Sequence, residues 1–338
     1  MVSPSEAPMR PLVPLLVALS ACGPQISGFD YKTNTEEFQQ ASTDEVDILW
    51  VVDNSNSMEL EQSLLASGFT SFATALEDSN SDFHIGVVTT DFDYEDLTRG
   101  QLVDGFIDRS DPNYVQTFAD RAQIGINGSG KEKGLEAAAY ALSPAMTQAG
   151  APNAGFLRPS ANLLVIVVSD EEDCSDNGAL GVQESEACYT QPEKLTPVSE
   201  FVTAFRDLKT DASKVKFSAI VGPEEATGIC DETSVPGRRY IEVANYLGGL
   251  VSSICESDWS SILGELGLNA SGVLTTFQLE HGARDGTLEV TVDGATVPVS
   301  EFDGYTYDAE FFTVTFHGAA IPPRGSTIVI RYEIEPGT

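Results

Sequence analysis

The clearest chemical pattern in the chain is Asp53-Asn54-Ser55-Asn56-Ser57. It directly follows the apolar run Ile48-Leu49-Trp50-Val51-Val52, which reads as a parallel strand buried on both faces. Leu65, Phe69, Phe72 and Leu76 then recur at helical spacing. An aspartate and two serines at the carboxyl end of a strand, just before a helix, stand where open α/β sheets bind ligands. One carboxylate and two hydroxyls converging there are hard oxygen donors suited to Mg2+, Mn2+ or Ca2+. The plainer reading is a strand–helix turn whose Asp53, Ser55 and Ser57 only cap the helix. Other catalytic patterns are missing. There is no Gly-x-Ser-x-Gly elbow, no Gly-x-Gly-x-x-Gly opening the first helix and no Gly-Lys-Ser/Thr phosphate loop. The three histidines are His84, His281 and His317. His84 lies in an apolar strand and reads as a core or edge residue; the other two have no obvious partner. A phosphotransferase with an aspartyl nucleophile wants a second aspartate two residues after the first, where this chain has Ser55.

The elements that must position these residues alternate between strand and helix. His84-Ile85-Gly86-Val87-Val88, Leu163 to Val168 and Phe217-Ser218-Ala219-Ile220-Val221 read as strands. Leu135, Ala138, Ala139 and Leu142 mark one helix. Phe201, Val202, Phe205 and Leu208 mark a second, and Tyr240, Val243, Ala244 and Leu247 a third. Trp259, Ile262, Leu263 and Leu266 mark the last. This alternation predicts an open, mostly parallel α/β sheet with helices on both faces. After about Ser271 the apolar period changes to two. Leu288, Val290 and Val292 lead into Asp293-Gly294, a hairpin signal, and Phe312-Val314-Phe316 and Ile328-Ile330-Tyr332-Ile334 alternate likewise. The expected organisation is therefore an export signal over residues 1–22, a polar tether over 23–45, an α/β domain over 46–268 and a small all-β domain over 271–338.

The motif Asp53-x-Ser55-x-Ser57 after a buried strand resembles the first part of the metal-ion-dependent adhesion site of von Willebrand factor type A domains. Two further pieces resemble the rest. The loop Asn127-Gly128-Ser129-Gly130-Lys131-Glu132-Lys133-Gly134-Leu135 is similar to the family's glycine-rich loop, with Ser129 where threonine is usual. Asp170, after the strand Leu163 to Val168, stands where the family has its second aspartate. The resemblance covers roughly Val46 to Leu268 and implies a Rossmann-like fold. It also implies that Ser55, Ser57 and Ser129 ligate the cation directly, with Asp53 and Asp170 acting directly or through water. Neutral hydroxyl ligands leave a cation electron-poor, so an open position favours a carboxylate from an Asp or Glu of a partner protein. The expected function is thus a binding module, not an enzyme, acting in adhesion or assembly. The alternatives are a metal-assisted envelope hydrolase, with Glu171 or Glu172 as base, and a structural lipoprotein whose site has lost function. The run Asp170-Glu171-Glu172-Asp173 reads either as a second cation site or, more plainly, as a solvated loop pinned by Cys174. Asp91, after Thr89-Thr90, reads as a rim residue of the same end of the sheet.

Composition sets the compartment and excludes some partners. Fifty-two acids against eighteen bases give a net charge of −34, which repels nucleic acid and anionic headgroups. Arg10 precedes the apolar run Pro11 to Ala21, which is too short to span a bilayer and fits a signal peptide beginning at Met1 or Met9. Leu19-Ser20-Ala21-Cys22 resembles a bacterial lipobox. That resemblance implies acylation of Cys22 and a lipid anchor in the cell envelope, on the outer membrane. Four further cysteines suit two disulfides in an exported chain, and sequence proximity favours Cys174–Cys188 and Cys230–Cys255. Closing a loop of roughly 15 residues contributes ~3 kcal/mol.

Overall fold

A computed structural model describes residues 31–40, 45–93, 99–181, 186–224, 235–309 and 311–334. Cys22, the signal segment and Cys230 lie outside them.

The chain enters through β1 (Thr33–Gln39) and then builds a mixed six-stranded sheet. In chain order its strands are β2 (Glu45–Val52), β3 (Asp82–Thr89), β4 (Ile107–Asp108), β5 (Asn162–Ser169), β6 (Val215–Val221) and β7 (Val251–Ser253). Their spatial order is β4-β3-β2-β5-β6-β7, parallel throughout except for the short edge strand β4. Every residue from Val46 to Val52 is fully buried, as a strand covered on both faces requires. One face is covered by α1 (Glu59–Asp78), α2 (Tyr114–Ala122) and α8 (Ser260–Ser271). Trp50 anchors this side, with ring centroids 5.2 Å from Phe72 and 5.3 Å from Phe118. The other face is covered by α3 (Gly134–Ala141), α6 (Val198–Arg206) and α7 (Arg238–Leu247), packed on Leu49, Val51, Val165 and Val167. Two single turns, α4 (Pro144–Thr147) and α5 (Ala187–Thr190), complete the helices.

Strand register sets the end of β2 against the end of β5. Val52 lies opposite Val168, and the Asp53 N–H donates to the Val168 carbonyl at 2.9 Å. The chain leaves β2 to one side, through β3, and returns on the other, through β5. The carboxyl ends of β2 and β5 therefore flank the crevice where strand order reverses. At the opposite end of β2 the fully buried Asp47 accepts from Arg158 Nε at 2.8 Å and Lys209 Nζ at 3.2 Å. His84, paired with Asp108 of β4 on one side and Asp47 of β2 on the other, is half-buried, bonded to the Phe156 carbonyl at 2.9 Å and stacked on Phe106.

The all-β part consists of β8 (Thr276–Gln278), β9 (Glu289–Val292), β10 (Ala295–Thr296), β11 (Gly304–Asp308), β12 (Thr313–His317) and β13 (Thr327–Glu333). Asp293 and Gly294 both take left-handed φ, 48° and 81°, as a two-residue hairpin between β9 and β10 demands. One expectation needs correction. Residues 23–45 are not a tether throughout, because β1 pairs with β13 from Thr33↔Glu333 to Gln39↔Thr327. The physical reason is a period-two pattern in polar residues. Asn34, Glu36 and Phe38 face inward, and Phe38 sits 5.3 Å from Phe277. The β-domain is therefore assembled from both flanks of the α/β domain, as sheets β1-β13-β9-β10 and β11-β12-β8. It docks at the end of the α/β sheet opposite the crevice. Arg324 donates to the Ser79 carbonyl at 3.0 Å and to Ser81 Oγ at 2.8 Å, just before β3. No helix among the described residues is long and apolar enough to cross a membrane.

If β1 is structural, Phe38→Ala should destabilise the chain by about 1–3 kcal/mol, a fraction of a full core deletion, while Glu37→Ala on the exposed face changes little. Urea unfolding of both variants checks this; equal, negligible effects would restore the tether reading.

Candidate functional site

The end of β2 brings its aspartate into the crevice because the strand register leaves no other course. Asp53 is fully buried; its Oδ1 accepts the Ser55 N–H at 2.8 Å and its Oδ2 accepts Ser169 Oγ at 2.6 Å. Ser55 Oγ lies 3.1 Å from Ser57 Oγ, which donates to Asp170 Oδ1 at 3.2 Å. Gln62 on α1 clamps the turn from behind, donating at 2.9 Å to the carbonyls of Asp53 and Gly125. Met58, not Asp53 or either serine, is the N-cap of α1, and it makes no side-chain capping bond. The serine hydroxyls are thus directed at each other and at Asp170 rather than at the helix end.

Four of the five expected site residues meet. The fifth, Ser129, does not join them by hydrogen bond among the described residues. Its Oγ accepts the Lys131 N–H at 3.0 Å, and its own N–H donates to Asp91 at 3.2 Å. The loop is nonetheless pressed on the motif. Gly128 donates to the Asn54 carbonyl at 2.8 Å, and a Cβ at Gly128 would lie 2.4 Å from the Asn54 side chain. The loop residue that does approach Asp53 is Glu132. It is buried, with Oε2 accepting from Thr90 Oγ1 and Oε1 lacking any hydrogen-bond partner. The sequence displays Glu132 only as one residue of the glycine-rich loop, between two lysines.

Those lysines are occupied elsewhere. Lys131 Nζ contacts Asp93 and Asp176 at 3.1 Å each, and Lys133 Nζ contacts Asp93 at 2.5 Å and also Asp176, all four side chains being buried or nearly so. The square ties the loop before α3 to the loop after β5, which the Cys174–Cys188 disulfide closes as expected, with Cα atoms 5.4 Å apart. Cys255 is also disulfide-bonded, but Cys230 lies outside the described residues. The run 170–173 is not a solvated loop. Glu172 accepts the N–H groups of Arg238 and Arg239 at 3.0 Å each and so caps α7. Asp173 is fully buried, accepting from Leu135 N–H and Arg239 Nε at 3.0 Å each. Backbone donors and an arginine, invisible in the sequence, account for the difference.

The electrostatics of the crevice are one-sided. Burial pushes the Asp53 carboxyl up to about 6, against hydrogen bonds from Ser169 and Ser55 and with help from the Asp170 charge. Burial, then Asp53 and Asp170, push Glu171 up to about 7. Burial raises Glu132 well above the usual carboxylate range, reinforced by Asp53, and raises Asp170 and Glu61 as well. Among the described residues, no Lys, Arg or His forms an ion pair with any of these five acids. Nor does any group of three or more His, Cys, Asp or Glu side chains form a ready-made metal cage. The donors that do converge are mixed hydroxyl and carboxylate. Their spacings of 3.1 and 3.2 Å are hydrogen-bond lengths, which set these oxygens close enough to share one hard cation. These are oxygens of the kind a hard divalent cation takes, and the buried Glu132 Oε1 beside them has no hydrogen-bond partner among the described residues.

Neither a family model nor a curated protein matches the chain. Among solved structures it is similar to the pilus adhesin SpaC from Lactobacillus rhamnosus GG in its open conformation. The identity is 12% and the TM-score 0.44, over 90% of this chain and 41% of that one. It is also similar to proximal thread matrix protein 1 from the mussel byssus, with 14% identity and a TM-score of 0.36, over 72% of this chain and 51% of that one. The chain thus spans about half the length of these proteins or less.

Asp176 gives the site a testable acid limit. Burial opposes its charge, but Lys133, the Leu180 N–H, Lys131 and the Gly178 N–H outweigh burial and hold its carboxyl below the usual value. Its stabilisation is therefore complete above the unfolded carboxylate value and is lost as pH falls through the lowered one. Asp176→Asn should cost roughly 3 kcal/mol at pH 7, since it leaves buried lysines short of a partner, and the deficit should shrink near pH 3. Guanidinium unfolding at both pH values checks this; a constant deficit would contradict it.

Proposed function

We propose that this chain is an exported, lipid-anchored binding module of the von Willebrand factor type A kind, which holds one divalent cation in the β2–β5 crevice and uses it to grip a partner protein. The observation that carries the reading is the contiguous oxygen set Ser55, Ser57 and Asp170 beside buried carboxylates with which no cationic side chain among the described residues forms an ion pair. Ser55, Ser57 and Asp170 would hold Mg2+, Mn2+ or Ca2+, Asp53 would orient the Ser55 loop from beneath, and Ser129 would complete the set as the family resemblance implies. The bound cation would supply a local positive charge to which an Asp or Glu of the partner can bind, against the field of the acidic surface. Leu60 and Tyr189, both exposed, stand near this rim beside Glu61 and close to Glu171, and offer apolar contact to such a partner.

Binding is favoured over hydrolysis by the fate of the two candidate bases. Glu172 is engaged in capping α7. A cation beside Glu171 would stabilise its charged form and draw its carboxyl back toward ordinary acidity, away from the range a general base needs. The lipid anchor rests on Cys22 and places the module in the cell envelope, on the outer membrane.

Cation binding has a direct thermodynamic consequence. A cation at one hundred times its Kd should stabilise the folded chain by roughly 2.7 kcal/mol. Thermal unfolding in EDTA and in excess Mg2+, Mn2+ or Ca2+ should show that gain in the native chain and lose it in Asp53→Ala/Ser55→Ala. An equal gain in the variant would place the cation elsewhere. In cells, Cys22→Ser should move the protein from the detergent phase to the aqueous phase on Triton X-114 partition. Unchanged partition would remove the anchor from the account.

A further inference from the structure

Glu132 is an unusual residue to find where it is. It is 1% exposed, yet one carboxylate oxygen makes no hydrogen bond and no ion pair among the described residues. Leaving a charged oxygen buried and unmatched is costly, so such a group is paired, binds a metal or takes up a proton. Nor is the side chain free to swing away. Thr90, immediately after β3, donates to Oε2, and the Lys133 N–H donates to the Thr90 carbonyl at 3.1 Å. The Glu132 carbonyl accepts the Cys174 N–H at 2.6 Å, which fixes the backbone to the disulfide loop. Glu132 is thus held between the end of β3 and the loop after β5, over the end of β2. Its charge faces Asp53, Glu171 and Asp91. Ser129, by contrast, has its hydroxyl engaged by its own loop and its N–H by Asp91.

We propose that Glu132, not Ser129, completes the ligand set of the β2–β5 crevice, and that the cation this set selects is Ca2+. The inference rests on the cation-binding reading given above and changes its chemistry. A hydroxyl-dominated set becomes one in which Glu132 and Asp170 bring full charges to the ion beside Ser55 and Ser57, with Asp53 and Glu171 adjacent. Ca2+ accepts many oxygens, including several carboxylates, in adaptable geometry. Mg2+ demands a near-regular octahedron and keeps most of its waters. Six side chains presented on three separate loops, with the loops tied together by the Lys131–Asp176 square and a disulfide, match the first demand better than the second. The partner that binds such an ion meets a cation already largely neutralised. The partner's carboxylate would then add orientation more than charge, and its apolar neighbours would contribute more of the affinity.

The test is calorimetric titration of the full chain, stripped of metal, with CaCl2 and with MgCl2, on four proteins: native, Glu132→Gln, Glu132→Asp and Ser129→Ala. Ca2+ should bind the native chain at least tenfold more tightly than Mg2+. Glu132→Gln should lose at least tenfold in Ca2+ affinity, Glu132→Asp should fall between, and Ser129→Ala should stay within twofold. Metal-free Glu132→Gln should melt at or above the native temperature, since the amide keeps the side chain's shape and cannot carry charge among the neighbouring carboxylates. That melting curve also shows that the variant is folded. Glu132→Gln binding Ca2+ within twofold of native overturns the inference and makes Glu132 a protonated core carboxyl. A tenfold loss in Ser129→Ala instead returns the site to the hydroxyl set while leaving the cation-binding reading intact. Mg2+ binding as tightly as Ca2+ overturns the choice of ion. A native chain that binds neither ion overturns both readings at once.

Discussion

Several carboxylates buried within reach of one another repel, and the hydrogen bonds around them do not remove the repulsion. At the carboxyl ends of β2 and β5 this tension involves Asp53, Asp170, Glu171 and Glu132, with Glu61 nearby. The protein does not relieve it with the cations it has. Lys131 and Lys133 are within the same loop as Glu132 but point into a square with Asp93 and Asp176. Arg239 is committed to Asp173 and the Thr196 carbonyl. Positive side chains thus brace the walls of the crevice while its floor remains acidic.

The rest of the α/β domain acts to keep that floor in place. The fully buried β2 and β5 fix Asp53 opposite Ser169 by register alone, so the site is as rigid as the sheet. Hydrophobic layers on both faces, one centred on Trp50 and the other on Leu49, Val165 and Tyr240, make sliding of either strand expensive. The β-domain, assembled from β1 and the C-terminal strands, attaches at the far end through Arg324.

Much of this architecture is legible in the sequence. The apolar runs of β2, β5 and β6 and the helical stripes of α1, α3 and α6 declare their period openly. Asp53, Ser55, Ser57 and Asp170 converge because motif and strand end coincide. Three features are hidden for separate reasons. β1 consists mostly of Thr, Asn, Glu and Gln, and its alternation makes sense only once β13 lies beside it, nearly three hundred residues away. Glu172 and Asp173 look like solvated acids because their partners are backbone N–H groups, which a sequence does not display. Glu132 is disguised by its neighbours. Flanking lysines suggest local ion pairs, whereas alternate residues of an irregular loop point in different directions and so serve different networks.

Whether the acidic crevice is a cation site is tested most directly by anomalous diffraction from a crystal soaked in MnCl2. A manganese peak is expected within about 2.0–2.6 Å of Ser55 Oγ, Ser57 Oγ and oxygens of Asp170 and Glu132. A crevice without a peak at saturating manganese, with its carboxyls instead sharing protons, would contradict the cation-site account.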